Sequence, residues 1–101
     1  MDSKDQIAVH ELVLVPSRFQ AMLAGQSLIL TKDEFYLLCF LARHPGWVFT
    51  RYQIVNGIKG ENYVVTERTI DVRIAGIRKK MGKFSDYIET VRGVGYRFKD
   101  I

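Results

Sequence analysis

A chain of 101 residues, 48% of them hydrophobic, is long enough to bury one core and too apolar to remain disordered. No uninterrupted apolar run approaches the roughly 18 residues that cross a bilayer. The polar start of the chain does not resemble a secretory signal, so we expect a cytoplasmic protein that makes no membrane contact.

The net charge of +4 is unevenly distributed along the chain. Residues 1–50 carry four Lys and Arg against five Asp and Glu, whereas residues 51–101 carry eleven against six. The second half therefore has a net charge of +5 and the first half −1. A basic surface kept for solubility would be spread more evenly along the chain. The uneven distribution therefore favours the interpretation that one end of the protein binds a polyanion.

Residues 1–5 are polar, and we expect them to form a linker or a frayed terminus ahead of a single domain at 6–101. Between residues 7 and 30, apolar residues occur in short alternating clusters, with turn-type residues at 16–17 and 25–26. This pattern predicts three or four short antiparallel strands with one face against a core.

Two helices are predicted next. Thr31 and Glu34 have the spacing of a capping box, and the helix behind them is apolar over a wide arc. We expect that helix in the core, with Cys39 as a buried thiol. A short apolar strand is predicted at 47–49, after which Thr50 caps a second short helix.

The central helix is predicted at 67–81, from Thr66 as its N-cap to Gly82 just past its end. At about 100° per residue, one narrow stripe is apolar and should be buried; it consists of Ile70, Ile74, Ile77 and Met81. The opposite side carries basic, small and methyl-bearing residues, which suits entry into a DNA major groove; it consists of Arg68, Val72, Ala75 and Lys79.

The residues of this helix are expected to contribute different contacts. Val72 and Ala75 offer methyl surface to thymine. Gly76 costs about 1 kcal/mol relative to alanine in a helix, and we explain it by close approach of the helix backbone to DNA. Asp71 is expected to form an ion pair with Arg68 or Arg73. Contacts to phosphates or guanine edges are predicted for Arg68, Arg73, Arg78 and Lys79.

A β-hairpin is predicted at 87–99, with its turn at 92–95. Arg92 lies at the tip of this hairpin, where it can project into a minor groove, whose negative potential attracts arginine. Gly93 and Gly95 are expected to let the backbone turn tightly and come close to phosphates.

Thr90 and Tyr96 flank the tip with hydroxyls that suit phosphate oxygens, although Tyr96 fits a core position equally well. The Gly-Val-Gly sequence at 93–95 is a fragment of a nucleotide-binding loop, but the helix that should follow is absent. The sequence also lacks a metal-ligand spacing and a nucleophile elbow. We therefore expect no enzyme activity, no catalytic residues, no metal and no cofactor.

Helices joined by a loop and followed by a hairpin are typical of a winged helix-turn-helix. Two functions remain open. In the first, residues 67–81 lie in the major groove of double-stranded DNA and residues 87–99 lie at the minor groove. In the second, the patch of Val72, Ala75 and Gly76 seats a partner helix. The charge asymmetry and Arg92 favour DNA.

Four segments resemble the DNA-binding effector domain of OmpR/PhoB-type response regulators: 30–35 (LTKDEF), 68–74 (RTIDVRI), 77–81 (IRKKM) and 89–98 (ETVRGVGYRF). The resemblance covers nearly the whole chain. It implies an α+β fold, a winged helix-turn-helix with an N-terminal antiparallel four-stranded sheet, three helices and a C-terminal β-hairpin wing. It also implies sequence-specific binding of promoter DNA by a bacterial two-component transcriptional regulator.

The same resemblance assigns roles to individual residues. Helix contacts to DNA fall on Arg68, Thr69, Val72, Arg73 and Arg78, and wing contacts fall on Thr90, Arg92 and Tyr96. The segment that touches RNA polymerase in relatives corresponds to Lys59, Gly60, Glu61, Asn62 and Tyr63. Relatives often bind direct repeats as two copies, and dimerisation through a phosphate-accepting receiver domain would lie outside this sequence.

This sequence departs from the family at three places. Ala75 and Gly76 stand where many relatives carry polar or basic residues, so methyl and shape contacts should weigh more in base recognition. Arg73 replaces a frequent histidine. Lys59 stands where a tryptophan usually precedes the glycine of the polymerase-contact segment.

Overall fold

The computed structural model describes residues 6–58 and 66–100. An antiparallel sheet begins the chain, and its strands lie in the order β1 (Ile7–Val9), β2 (Leu12–Val15), β3 (Gln20–Leu23) and β4 (Gln26–Ser27). Leu12 pairs with Leu23 and Leu14 with Ala21, so one face of the sheet is apolar, and all four residues are buried. The predicted short antiparallel strands are confirmed, although the apolar residues at 28–30 lie beyond β4.

Three helices follow, α1 (Lys32–Ala42), α2 (Arg51–Ile58) and α3 (Glu67–Met81). The capping box of α1 is formed: the Glu34 amide donates to Thr31 Oγ1 at 3.3 Å, and the Thr31 amide donates to Glu34 Oε1 at 2.9 Å. Thr50 and Gln53 exchange the same two bonds at the start of α2, at 2.9 and 3.1 Å. The predicted caps are therefore confirmed at both helices.

The core is built around the apolar stripe of α3. Ile70, Ile74 and Ile77 are at most 1% exposed, and Met81 is 3% exposed. Burial of each such side chain contributes about 1.5–3 kcal/mol. α3 packs on both α1 and α2, and Cys39 of α1 is buried as expected. Within the described ranges, no helix combines the length and apolarity that crossing a membrane requires.

A 3-10 helix (Gly82–Tyr87) leads into the antiparallel hairpin of β5 (Ile88–Val91) and β6 (Gly95–Phe98). The hairpin was predicted with Tyr87 in its first strand and Gly95 in its turn, and both assignments are wrong. Tyr87 closes the 3-10 helix, where its hydroxyl donates to Glu11 of the β1–β2 turn. Gly95 pairs with Val91, so the turn comprises only residues 92–94.

A backbone bridge joins the hairpin to the segment between α1 and α2. The Phe49 amide donates to the Tyr96 carbonyl at 2.8 Å, and the Tyr96 amide donates to the Phe49 carbonyl at 2.9 Å. The predicted strand at 47–49 is reduced to this single bridge. Gly95 is required here because a Cβ would overlap the Phe49 carbonyl oxygen. The close neighbour of Gly95 is therefore this backbone and not the phosphate expected from the sequence, whereas Gly93 has the positive φ of 78° that the tight turn needs.

We predict that Gly95→Ala lowers the free energy of unfolding by about 1–3 kcal/mol, because the new methyl group must push the hairpin away from Phe49. Urea unfolding monitored by circular dichroism measures the loss. Val94→Ala is the matched control, since Val94 is exposed in the turn of the same hairpin, and its effect should stay within about 0.5 kcal/mol. Equal stability of Gly95→Ala and the wild type would contradict the packing described for this bridge.

Candidate functional site

α3 presents four sides to four different surroundings. The first is the buried stripe. The second, the α1 flank, consists of Arg73, Gly76 and Lys80 and lies against the first turn of α1. The third, the hairpin flank, consists of Asp71 and Arg78. The fourth, the outward face, is exposed to solvent and consists of Arg68, Val72, Ala75 and Lys79.

The α1 flank is held by two ion pairs. Lys80 Nζ lies 2.7 Å from Glu34 Oε1, and Arg73 Nη2 lies 3.2 Å from Asp33 Oδ2. Gly76 lies on the same flank, and a Cβ there would be 2.5 Å from Glu34 Oε2. Gly76 therefore leaves room for the Glu34 carboxylate, a reason that the sequence did not indicate, and its close approach to DNA stays a prediction.

Glu34 is a nearly buried carboxylate, 6% exposed, that serves two elements at once. It caps α1 through the Thr31 amide and pairs with Lys80 of α3. Burial by itself raises the pKa of Glu34, but the hydrogen bond from Lys80 and the bond from the Thr31 backbone outweigh it, so the pKa lies below its ordinary value. The ionised form is thus the one that stabilises the fold.

On the hairpin flank, Asp71 accepts two hydrogen bonds from outside its own helix. The Tyr96 hydroxyl donates to Asp71 Oδ1 at 2.5 Å, and Arg51 Nε donates to the same oxygen at 2.8 Å. These bonds, from Tyr96 first and Arg51 second, lower the pKa of Asp71. The predicted ion pair of Asp71 with Arg68 or Arg73 is therefore wrong.

Arg78 attaches α3 to the hairpin two turns further along. Its Nη2 donates to the Ile88 carbonyl at 2.7 Å and to Thr90 Oγ1 at 2.8 Å, and its Nε reaches the same carbonyl at 3.2 Å. The Arg78 guanidinium also lies 5.8 Å from the centre of the Tyr96 ring. Tyr96 is only 6% exposed, so of the two roles left open for it, the core position is the one observed.

Three cations on the outward face and in the hairpin turn have no negatively charged partner within the described chain. Arg68 and Lys79 on the outward face and Arg92 in the hairpin turn are exposed. None of them makes a hydrogen bond or ion pair to another residue in the described ranges 6–58 and 66–100. By contrast, a carboxylate partner is present for each of Arg51, Arg73, Lys80 and Arg97.

Thr69 is partly exposed, and its hydroxyl takes part in capping α3: it accepts from the Thr66 amide at 3.1 Å and donates to the Thr66 carbonyl at 2.8 Å. The residues predicted to contact polymerase, 59–63, lie outside the described residues, as does the predicted linker at 1–5. Among the residues that the structure describes, no group of three or more His, Cys, Asp or Glu is arranged to hold a metal ion.

Sequence reasoning missed Arg51 and the pairing partner of Lys80. Arg51 lies 20 positions from Asp71, and Lys80 lies 46 positions from Glu34. The capping box marked Glu34 as a helix start, but no local pattern indicates a second partner so far along the chain. Such contacts follow from how the helices pack.

Comparisons with known proteins agree with this geometry. The family model described as "Transcriptional regulatory protein, C terminal" matches residues 25–98. The transcriptional regulatory protein BaeR of Escherichia coli is 40% identical over 99 residues, and VxrB of Vibrio cholerae is 38% identical over 98. These alignments cover 95% and 97% of this chain but 41% and 38% of the relatives, so the chain spans about two fifths of their length.

Solved structures match over nearly the whole chain. The DNA-binding domain of Klebsiella pneumoniae RstA, in complex with the RstA box, has a TM-score of 0.79 at 32% identity. The DNA-binding domain of CpxR from E. coli has a TM-score of 0.78 at 34% identity. Both matches cover 95% of this chain and 98% of the other. The Thermotoga maritima OmpR/PhoB homologue DrrB, TM-score 0.79 at 32% identity, matches over 94% of this chain and 44% of its own.

We predict that Glu34→Gln lowers the free energy of unfolding at pH 7 by about 1 kcal/mol, because the Lys80 pair is lost. The lowered pKa of Glu34 means that this stabilisation is present above its ordinary pKa of 4.5 and disappears as the pH falls through the folded-state value. Urea unfolding at a series of pH values should show the variant and the wild type converging in acid.

Two further variants test whether Lys80 is the ion-pair partner of Glu34. Lys80→Gln should lose a similar amount of stability, whereas Lys79→Gln, on the outward face, should stay within about 0.5 kcal/mol of the wild type. A difference between Glu34→Gln and the wild type that persists unchanged in acid would contradict the role given to the charged carboxylate.

Proposed function

The chain belongs to the OmpR/PhoB-type family of C-terminal domains of transcriptional regulatory proteins, and on that premise we propose that it binds double-stranded DNA in a sequence-specific way. The observation that carries this proposal is the placement of Arg68, Lys79 and Arg92. They are exposed on the outward face and the hairpin turn without acidic partners among the described residues. Phosphates supply the missing negative charge.

The outward face of α3 has dimensions that suit a major groove. Arg68 and Lys79 lie about 16 Å apart along the helix axis, at roughly 1.5 Å per residue, and the groove is about 12 Å wide. Both cations therefore reach towards the phosphates that border the groove. Val72, 60% exposed, and Ala75 lie between them and face the base edges with methyl groups.

The hairpin supplies a second contact. Arg92 begins the turn 92–94 and is exposed, with Gly93 beside it. A narrow minor groove concentrates negative potential, which favours insertion of an arginine side chain. Arg73 and Thr69 remain proposed helix contacts, although Arg73 must share its guanidinium with Asp33.

The chain is proposed to act as part of a longer cytoplasmic transcriptional regulator, in keeping with the relatives of which it spans about two fifths. In that protein, two copies would bind DNA together through a receiver domain outside this sequence. The segment of Lys59, Gly60, Glu61, Asn62 and Tyr63 is proposed to contact RNA polymerase, on its resemblance to the corresponding segment of relatives.

We predict that Arg68→Ala and Arg92→Ala each weaken binding about tenfold to a duplex selected from random sequences. The logarithm of the binding constant falls linearly with the logarithm of the salt concentration, and each variant should make this slope shallower by about one, because one fewer counterion is released. Fluorescence anisotropy titrations at several salt concentrations measure both quantities. Arg18→Ala, exposed beside the N-terminal sheet, is the control and should bind like the wild type.

Unchanged affinity in both variants would contradict the assignment of the DNA-binding surface. If the wild type binds no duplex even at low salt, the proposed function is wrong, and the exposed Val72 and Ala75 would instead favour a protein-interaction module.

We also predict a readout of thymine methyl groups. Replacing thymine by deoxyuridine in the half of the selected site that faces α3 should weaken binding about fourfold per contacted methyl, since burying one such group contributes about 0.8 kcal/mol. Val72→Ala should reduce this sensitivity, whereas Val94→Ala should leave it intact. Equal binding of the thymine and deoxyuridine duplexes would show that Val72 and Ala75 do not read the bases.

A further inference from the structure

The geometry points to Asp71 and Arg78 as positioning residues, which hold the hairpin beside α3 so that Arg92 and the outward face engage the same DNA. This inference rests on the proposed function. It gives the hairpin flank a role of its own, which is to fix the distance and tilt between two DNA-binding elements rather than to bind DNA.

Above its base, the hairpin stays buried on β6, where Gly95 and Tyr96 lie and the Phe49 bridge is formed, but not on the β5 side or in the turn. Ile88 and Phe98 pair at the base and are at most 1% exposed. Thr90, opposite Tyr96, and Arg92 at the turn are exposed. The Phe49 bridge holds β6 from one side, and polar contacts from α3 add to it in fixing the position of the hairpin above its base.

Those contacts come from two points on one side of α3. Asp71 accepts from the hydroxyl of Tyr96, on β6, at 2.5 Å. Arg78, two turns further along α3, donates to the Ile88 carbonyl and the Thr90 hydroxyl, on β5, at 2.7 and 2.8 Å. Because each strand of the hairpin is attached separately, the hairpin cannot pivot about one contact. Both attachments are charge-assisted hydrogen bonds, which are stronger than neutral ones.

Tyr96 joins the two attachment points. Its ring lies 5.5 Å from the Arg51 guanidinium and 5.8 Å from that of Arg78, within the range of cation–π attraction. Since Tyr96 is almost fully buried, its hydroxyl needs a partner, and Asp71 provides it. Arg51 bonds the same carboxylate oxygen and thereby adds the first turn of α2 to the network.

The Glu89–Arg97 pair offers a matched control. Glu89 and Arg97 are opposite each other on β5 and β6, and their side chains are joined at 2.7 Å. This pair joins the two strands of the hairpin to each other, and neither side chain makes a hydrogen bond or ion pair to α3 within the described residues. Asp71→Asn and Glu89→Gln each remove one negative charge, so both change the overall attraction to DNA by the same amount.

The test compares two duplexes that carry the selected site. The short duplex ends at the major-groove contacts, and the long duplex continues over the adjacent minor groove. We expect the wild type to bind the long duplex at least tenfold more tightly. Asp71→Asn and Arg78→Met should reduce this ratio at least fivefold, and Asp71→Asn should bind the short duplex as tightly as Glu89→Gln, which has the same net charge. Glu89→Gln should keep the ratio.

A second measurement tests whether the contribution of Arg92 to binding depends on Asp71. Arg92→Ala should cost about tenfold on the long duplex in the wild type, but less than about twofold in the Asp71→Asn background, because the tip is no longer held in place. Thermal unfolding checks that each variant is folded. If Asp71→Asn does not fold, Tyr96→Phe, which removes only the hydroxyl that Asp71 accepts, replaces it.

The outcomes separate this inference from the proposed function. An unchanged ratio in the positioning variants overturns the inference but leaves DNA binding standing. Equal losses on the short and long duplexes also overturn it, because they indicate direct DNA contact or general damage. A wild type that binds neither duplex overturns the proposed function and the inference with it.

Discussion

Burial of one stripe of α3 is the constraint on which the rest of the structure depends. Ile70, Ile74 and Ile77 are almost completely inaccessible to solvent, so α3 cannot rotate about its axis without exposing them. Side chains leave a helix at fixed angles to one another, so the orientation that buries this stripe also sets the direction of every other side chain. Once the stripe is buried, Arg68 and Lys79 must face outward, and no separate interaction is needed to present them.

The polar flanks of α3 then decide how its neighbours are arranged. On one flank, Glu34 caps α1 and pairs with Lys80, and Gly76 leaves room for the carboxylate. On the other flank, Asp71 and Arg78 attach the hairpin. The charged residues on these two flanks form contacts between α3 and neighbouring elements of the same protein. Among the basic residues of α3, Arg78 and Lys80 thus contact other elements of the fold, whereas Arg68 and Lys79 make no hydrogen bond or ion pair within the described chain.

Gly76 and Gly95 show that a residue type can indicate close packing without indicating which neighbour causes it. A glycine inside a helix and another beside a hairpin turn both indicate that a backbone is approached closely. From the sequence, DNA was the expected neighbour in each case. The structure places Glu34 against Gly76 and the Phe49 carbonyl against Gly95. The residue type revealed the crowding, but the identity of the neighbour depended on segments far away in the chain.

The sequence by itself determined the helices, their caps and the buried side of α3, because hydrophobic periodicity and capping operate within a few residues. It also indicated the family and predicted the short antiparallel strands that begin the chain. Only the tertiary structure decided which polar groups meet, such as Asp71 with Arg51 and Tyr96, 20 and 25 positions away. Those pairings, and the burial of Tyr96, follow from packing between elements, which local sequence patterns do not encode.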